Sequence, residues 1–256
     1  MRSTRRHFLR VALTGAAVLP FAKQALAGDL VSPSPRLSLT DAALLDELER
    51  TAFDFFWNEA DPHTGLVLDR ANANGGSNRV KASIAATGFG LTALCIGYER
   101  GYGSRPEIEQ RVKKTLRFLA HEAPTENGLF YHFMHRSNAT RFGMSEVSPI
   151  DTALLLCGVL TCRQQFSNAE LQQDASTLYH RVDWNWALNG GKTFAGDWTP
   201  EEGFSRFRWD SYCESMMLYL LAMGSPSHPI SEESWHAIRR PKMTYAGHQY
   251  ISSPAP

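Results

Sequence analysis

The stretch Ser148-Pro149-Ile150-Asp151-Thr152-Ala153-Leu154-Leu155-Leu156 opens a helix on residue types alone. Ser148 suits the N-cap, where a hydroxyl accepts from a backbone N–H that has no partner inside the helix. Pro149 suits the first helical position, because its missing N–H would be unpaired there anyway. Asp151 at the third position forms a capping pair with Ser148, and the helix runs to about Phe166. The same period recurs upstream. Leu44, Leu45, Leu48, Ala52, Phe55 and Phe56 mark a helix from Asp41 to Asn58 with Thr40 as N-cap. A second, from about Ala82 to Tyr98, is apolar nearly all round. A third starts at Pro106 and runs to about His121, with Ile108, Val112, Leu116 and Leu119 on one stripe. Downstream, helices are expected from Asn168 to about Val182, from Asp210 to Met223 and, shorter, from Ser231 to Arg239. Between them the period changes: Leu129–Met134 and Thr140–Met144 flank the turn Ser137-Asn138-Ala139 and read as a short hairpin. The chain is therefore expected to be all-α, with six or seven helices and one small β-hairpin. Its long connections, 60–81 and 183–209, are rich in Gly, Asn and Trp, and structureless loops of that length are usually functional. Helical hairpins with long loops gathered at one end fit an α/α toroid; an irregular bundle fits the same periodicity.

The first 27 residues stand apart. A basic start containing Arg5-Arg6, then Phe8-Leu9, leads into the apolar run Val11–Phe21 and the small-x-small site Ala25-Leu26-Ala27. This is the layout of a cleaved export leader of twin-arginine type, and it points to a periplasmic or secreted bacterial protein. Residues 28–40, with Ser32-Pro33-Ser34-Pro35, read as a linker, and 41–250 as the helical domain. The whole chain of 256 residues balances 26 basic against 26 acidic residues. Removing Arg2, Arg5, Arg6, Arg10 and Lys23 with the leader leaves an excess of five acids, and nucleic acid, which needs a basic face, is not an expected partner. Cys95, Cys157, Cys162 and Cys213 each sit in an apolar run with no C-x-x-C spacing. They read as buried thiols rather than zinc ligands, with a disulfide left open in an oxidising compartment.

Two acidic constellations carry chemistry. In the first, Asp151 is either a plain capping residue or a carboxylate at a helix start facing a cleft, kept ionised by the positive end of the helix dipole and suited to act as a base. Glu146 lies just before it. In the second, Trp209-Asp210-Ser211-Tyr212-Cys213-Glu214, Asp210 is a natural N-cap. Glu214 shares a helical face with Met217, Leu218 and Leu221, so its carboxyl is expected to be desolvated and protonated near neutral pH; the alternative is a Glu at the margin of that stripe reaching water. Trp184, Trp186, Trp198 and Trp209 gather around one long connection. They suit stacking on sugar rings or, equally, plugging the loop against the domain. Asp69-Arg70 is a substrate contact or an ion pair. His132 and His135 are spaced for a turn or strand, not for a helical metal pair.

These pieces, taken in order, resemble a known family. They are Thr64-Gly65-Leu66 with Asp69-Arg70; Ala82-Ser83-Ile84-Ala85 with Thr87-Gly88; Gly128-Leu129-Phe130-Tyr131-His132-Phe133; Glu146-Val147-Ser148 and Ile150-Asp151-Thr152-Ala153-Leu154-Leu155. Leu178-Tyr179, Val182-Asp183-Trp184, Pro200-Glu201-Glu202-Gly203-Phe204 and Trp209 with Tyr212 and Glu214 follow, and then Leu218–Ala222 and Gly224-Ser225-Pro226-Ser227-His228-Pro229. The set resembles the bacterial glucoamylase-like glycoside hydrolases that include endo-β-1,2-glucanases. The resemblance implies an (α/α)6 toroid with a sugar cleft and hydrolysis of β-1,2-glucan with inversion, using acidic residues and neither metal nor cofactor. It places Asp151 and Glu214 at cleft-facing acidic positions and Glu146 at a neighbouring one, with Glu214 fitting a proton donor; Asp69, Arg70, His132, Trp184, Trp198 and Trp209 are the candidate substrate contacts. The family pattern continues past a segment like Gly247-His248-Gln249-Tyr250, so residues 251–256 read as an unrelated tail and the toroid as incomplete, with activity in doubt. The competing expectations are a non-catalytic glucan-binding protein and a polysaccharide lyase on the same toroid, using Tyr131, His132 or His135.

Overall fold

The computed structural model describes residues 39–72 and 79–253. The leader expected at 1–27, nearly all of the expected linker, Gly75-Gly76 and the last three residues of the expected tail lie outside the described residues. The chain divides into two units, Met1–Asp41 and Ala42–Pro256, and the architecture below is that of the second.

Helices α1 (Leu39–Glu59), α2 (Ile84–Arg100), α3 (Arg105–His121), α4 (Pro149–Gln165) and α5 (Ala169–His180) match the five expected from periodicity to within a few residues. Local chemistry sets their ends. Ser83, Ser148 and Asn168 cap α2, α4 and α5 with side-chain oxygens that accept from Ala86, Asp151 and Glu170 N–H groups. Gly101 ends α2 in the left-handed region at φ 72°. Thr40 is not an N-cap, because α1 already begins at Leu39. Three shorter helices follow: α6 (Trp184–Leu188), α7 (Met216–Met223) and α8 (Glu233–Ala237).

The helices form two layers. α2 packs along α4, and α4 along α7; α3 packs along α5 behind them, with α2 touching α3 and α4 touching α5. The α2–α4 contact is the most extensive, and two glycines make it so. A Cβ on Gly158 would sit 2.1 Å from the Gly88 carbonyl oxygen, and one on Gly88 would sit 2.4 Å from that of Leu154. The helices thus meet backbone to backbone. The core between the layers is apolar and continuous, with Trp184, Tyr219, Phe130 and Phe194 its largest fully buried side chains.

Short strands lie at the ends of the helices. β1 (Lys81–Ser83) pairs antiparallel with β2 (Phe133–His135), Ala82 opposite Met134. β3 (Trp198–Thr199) pairs with β4 (Gly203–Phe204), and β5 (Lys242–Tyr245) with β6 (His248–Ile251). The hairpin expected across 129–144 is present in short form: Met134 bridges Arg141, His135 N donates to Thr140 O at 2.8 Å, and Phe142 N donates to Phe133 O at 3.1 Å. On its other edge β2 pairs with β1, some 50 residues upstream, a pairing that no local pattern encodes. The connection 183–209 is not structureless, since it holds α6, β3 and β4. The helix expected from Asp210 begins only at Met216. Residues 210–212 are extended instead: Tyr212 N donates to Arg239 O at 2.9 Å, and Arg239 N to Asp210 O at 2.8 Å. Asp210 is therefore no N-cap; its carboxylate accepts from Arg239 Nη2 at 2.7 Å.

Candidate active site

Three chain segments meet edge to edge and carry the acidic cluster. Tyr131 bridges to Val147, and Val147 to Trp198, which is itself the first residue of the β3–β4 hairpin. His132 N donates to Glu146 O at 2.9 Å, and Val147 and Trp198 exchange both backbone hydrogen bonds, at 2.8 and 3.1 Å. This pairing brings His132, Glu146 and Asp151, three residues past the Ser148 helix cap, together. The His132 Nδ1 lies 2.7 Å from Glu146 Oε1, and its Nε2 lies 3.6 Å from Asp151 Oδ1. The imidazole is stacked on Phe133 at 3.7 Å between centroids, and Lys81 Nζ covers the Phe133 ring.

The electrostatics follow from this geometry. Burial alone would lower the His132 pKa, but the Glu146 hydrogen bond and the charges of Asp151, Glu146 and Asp69 outweigh it and raise the value above 6.5. Burial alone would raise Glu146, but the hydrogen bond and charge of His132 bring it below its ordinary 4.5. Asp151 goes the other way. Its burial dominates, against the pull of His132 and Ser148, and holds its pKa above 3.8. At Asp151, desolvation therefore works against the helix end, which was expected to favour the ionised form. Ser148 Oγ donates to Asp151 Oδ2 at 2.5 Å while accepting from its backbone N–H, so the cap and the carboxylate are one unit.

Around this cluster, Asp69 is an ion-pair residue, with Arg70 Nε at 2.7 Å and Lys81 Nζ at 3.5 Å. Its charge reaches His132. A further tie went unread in the sequence. Arg141 forks onto Glu201 at 2.6 and 2.9 Å while its Nε donates to Ser145 O at 2.6 Å. The loop of the β3–β4 hairpin is thereby pinned to the residue before Glu146. Two partners 60 positions apart leave no local signature in the sequence.

The aromatic expectations divide. Trp184 is fully buried at the start of α6, edge-on to Phe194, and is a core residue rather than a sugar contact. Trp198 is half-buried on the hairpin beside Trp186. Trp209 packs on Phe207, and its indole N–H donates to Gly196 O at 3.3 Å. Glu214 also departs from expectation. It is exposed, in the turn before α7, so the desolvation inferred from its spacing to Met217, Leu218 and Leu221 does not arise there. The cause is the extended segment 210–212, which delays the helix and takes Glu214 off its face. An open depression lies between α3 and α5, lined by Arg117, His121, Glu170 and Asp174. It carries a His121–Asp174 contact of 2.7 Å, and none of the residues gathered around His132 line it.

Comparison with known proteins gives this arrangement a context. The Glycoamylase family model matches residues 206–256. An exo-β-1,2-glucooligosaccharide sophorohydrolase of Parabacteroides distasonis is 28% identical over 212 residues, 78% of this chain and 29% of the relative. The structure of an endo-β-1,2-glucanase from Chitinophaga pinensis, in complex with sophorotriose and glucose, superimposes with a TM-score of 0.75 at 26% identity, over 84% of this chain and 56% of that one. A β-1,2-glucanase from Parabacteroides distasonis gives 0.67 at 27% identity, over 78% and 30%. The chain spans about half the length of the Chitinophaga protein and less than a third of the two Parabacteroides proteins. The expected toroid class is that of these neighbours.

Proposed function

We propose, from this kinship with the glucoamylase-like glycoside hydrolases, that the protein is an exported glycan hydrolase acting on β-1,2-linked glucan through an acid/base pair of carboxylates. The observation that carries the reading is the His132–Glu146–Asp151 cluster: an imidazole held between two carboxylates of opposite titration shift, on segments that also carry an aromatic hairpin. In this scheme Glu146 stays ionised and keeps His132 cationic. Asp151 is the carboxyl whose hold on its proton burial strengthens, and Glu214 supplies the second carboxylate. Inversion needs the two about 6.5–9.5 Å apart, with water between them. Trp198, next to the strand that follows Glu146, offers a ring for stacking on sugar, and Arg141–Glu201 keeps it in place. The scheme asks for no metal and no cofactor.

Incubation of the purified chain with linear β-1,2-glucan tests this. New reducing ends are expected, and Asp151→Asn and Glu214→Gln should each lower their rate by about 10²–10⁴. Unsaturated ends would instead identify a lyase, and binding without products a non-catalytic glucan-binding protein. Normal turnover by the Asp151→Asn chain would remove the cluster from the chemistry.

The export reading rests on Arg5-Arg6 and Ala25-Leu26-Ala27. Replacing both arginines by lysine should leave uncleaved precursor in the cytoplasm, as seen by fractionation and blotting. Unimpaired appearance of the mature chain outside the cytoplasm would contradict it.

A further inference from the structure

The α2–α4 seam holds a feature that glycan chemistry does not use. Cys95 on α2 and Cys162 on α4 are both buried, and their sulfurs lie 3.5 Å apart. Each is a free thiol. The Cys162 Sγ also lies 3.5 Å from Leu91 O, so the two sulfurs sit in the seam itself and not at its edge. The other two cysteines are placed differently: Cys157 Sγ faces Met217 Sδ at 3.8 Å, and Cys213 Sγ faces Ser215 Oγ at 3.2 Å. The geometry of the seam explains the pairing. Gly88 and Gly158 let the helix backbones touch, and α2 and α4 run in the same direction from there, with Glu99 and Gln165 meeting further along. Cys95 and Cys162 fall between those two contacts, facing each other across the closest part of the helix pair.

We propose that Cys95 and Cys162 are a disulfide-forming pair that cross-links helices α2 and α4 when the protein meets a disulfide oxidant. A bond length of about 2.05 Å is reached by turning the two side chains toward each other across the present gap. The chemistry is thiol–disulfide exchange. The thiolate of one cysteine attacks a disulfide R–S–S–R, forming a mixed disulfide and releasing one R–SH. The thiolate of the second cysteine then displaces the other R–S group, which leaves as the second R–SH after taking up a proton. Two S–H bonds on the protein and one S–S bond on the oxidant are replaced by one protein S–S bond and two R–SH. The protein loses two electrons, and the oxidant gains them. Burial slows the first attack, because only a thiolate reacts, so exchange proceeds through local opening of the seam. An oxidising compartment of the kind the proposed export reaches holds such oxidants, but the inference itself depends only on the seam.

The experiment uses the native full chain, purified reduced and then held in a buffer of excess oxidised glutathione until its state no longer changes. Free thiols are trapped by alkylation, and the peptides are mapped by mass spectrometry. A Cys95–Cys162 linked peptide is expected as the main product, with Cys157 and Cys213 alkylated or carrying glutathione. The bond closes a loop between positions 67 apart, so oxidation should raise the thermal midpoint by roughly 10 °C, reversibly with dithiothreitol. Recovery of Cys95 and Cys162 as free thiols, or as separate glutathione adducts, would overturn the proposal. So would a linked peptide joining either of them to Cys157 or Cys213 in its place.

Discussion

At the scale of single residues, the site turns on His132. Its ring is gripped by Glu146, braced by Phe133 and within reach of Asp151. The two members of the His132–Glu146 pair are shifted in opposite directions, and each shift makes a statement about stability. The folded pKa of His132 lies above its ordinary 6.5, so its contribution is full below 6.5 and is lost as pH rises through the folded value. The folded pKa of Glu146 lies below its ordinary 4.5, so its contribution is full above 4.5 and is lost as pH falls through the folded value. The coupling between them should therefore be greatest between about pH 4.5 and 6.5. Both side chains keep nearly a third of their surface in water, which limits the coupling to about 1 kcal/mol. A double-mutant cycle with His132→Ala and Glu146→Gln, followed by urea unfolding at several pH values, measures it. A coupling that stays constant up to pH 9 would show that the imidazole charge plays no part.

At the scale of elements, the α2–α4 seam has the least tolerance. Alanine is the better helix former by about 1 kcal/mol, so Gly158→Ala would stabilise a helix with room around it. Here the added methyl meets the Gly88 carbonyl oxygen at 2.1 Å, and that atom is backbone and cannot turn away. The helices must separate, at a net cost of about 3 kcal/mol. The thermal midpoint should fall by roughly 6–12 °C. A rise in midpoint for Gly158→Ala would mean that the helices are not in backbone contact. The same seam positions α4, whose first turn carries Ser148 and Asp151, so its spacing is felt at the candidate site.

At the scale of the molecule, the layer of α2, α4 and α7 is covered on one side and carries exposed apolar side chains on the other. Phe89 and Ile96, seven residues apart on one face of α2, are 54% and 42% exposed, and Leu220 on α7 is 55% exposed. On α1, Leu44, Leu45 and Leu48 are each about half exposed. Apolar patches on monomers rarely exceed a few hundred Å², and the match leaves close to half of the Chitinophaga chain without a counterpart. The native chain should therefore bind 8-anilinonaphthalene sulfonate strongly while keeping a cooperative thermal transition. Phe89→Ser combined with Leu220→Ser should remove most of the dye fluorescence with the helical circular dichroism unchanged. Dye binding that ignores both substitutions would place the accessible apolar surface elsewhere.

Some of this was already fixed by the order of residues. Ser83, Ser148 and Asn168 mark helix starts because a cap is a contact between near neighbours, and the stripe from Ile108 to Leu119 marks α3 because burial of one face imposes its period. Asp151 and Glu146 were legible as a cluster for the same reason: they flank one helix start. His132 was legible as a polar residue in an apolar strand, but not as the group that bonds Glu146 and comes within reach of Asp151. The tertiary structure alone decided which long-range partners meet. It added β1 to the outer edge of β2, joined Arg141 to Glu201, sent Trp184 into the core while Trp198 stayed half-buried, and held 210–212 extended against Arg239, leaving Glu214 in water. Each of these is settled by competition among distant segments for hydrogen bonds and buried area, and that competition has no expression in local spacing because its terms belong to pairs of residues 30 to 60 positions apart.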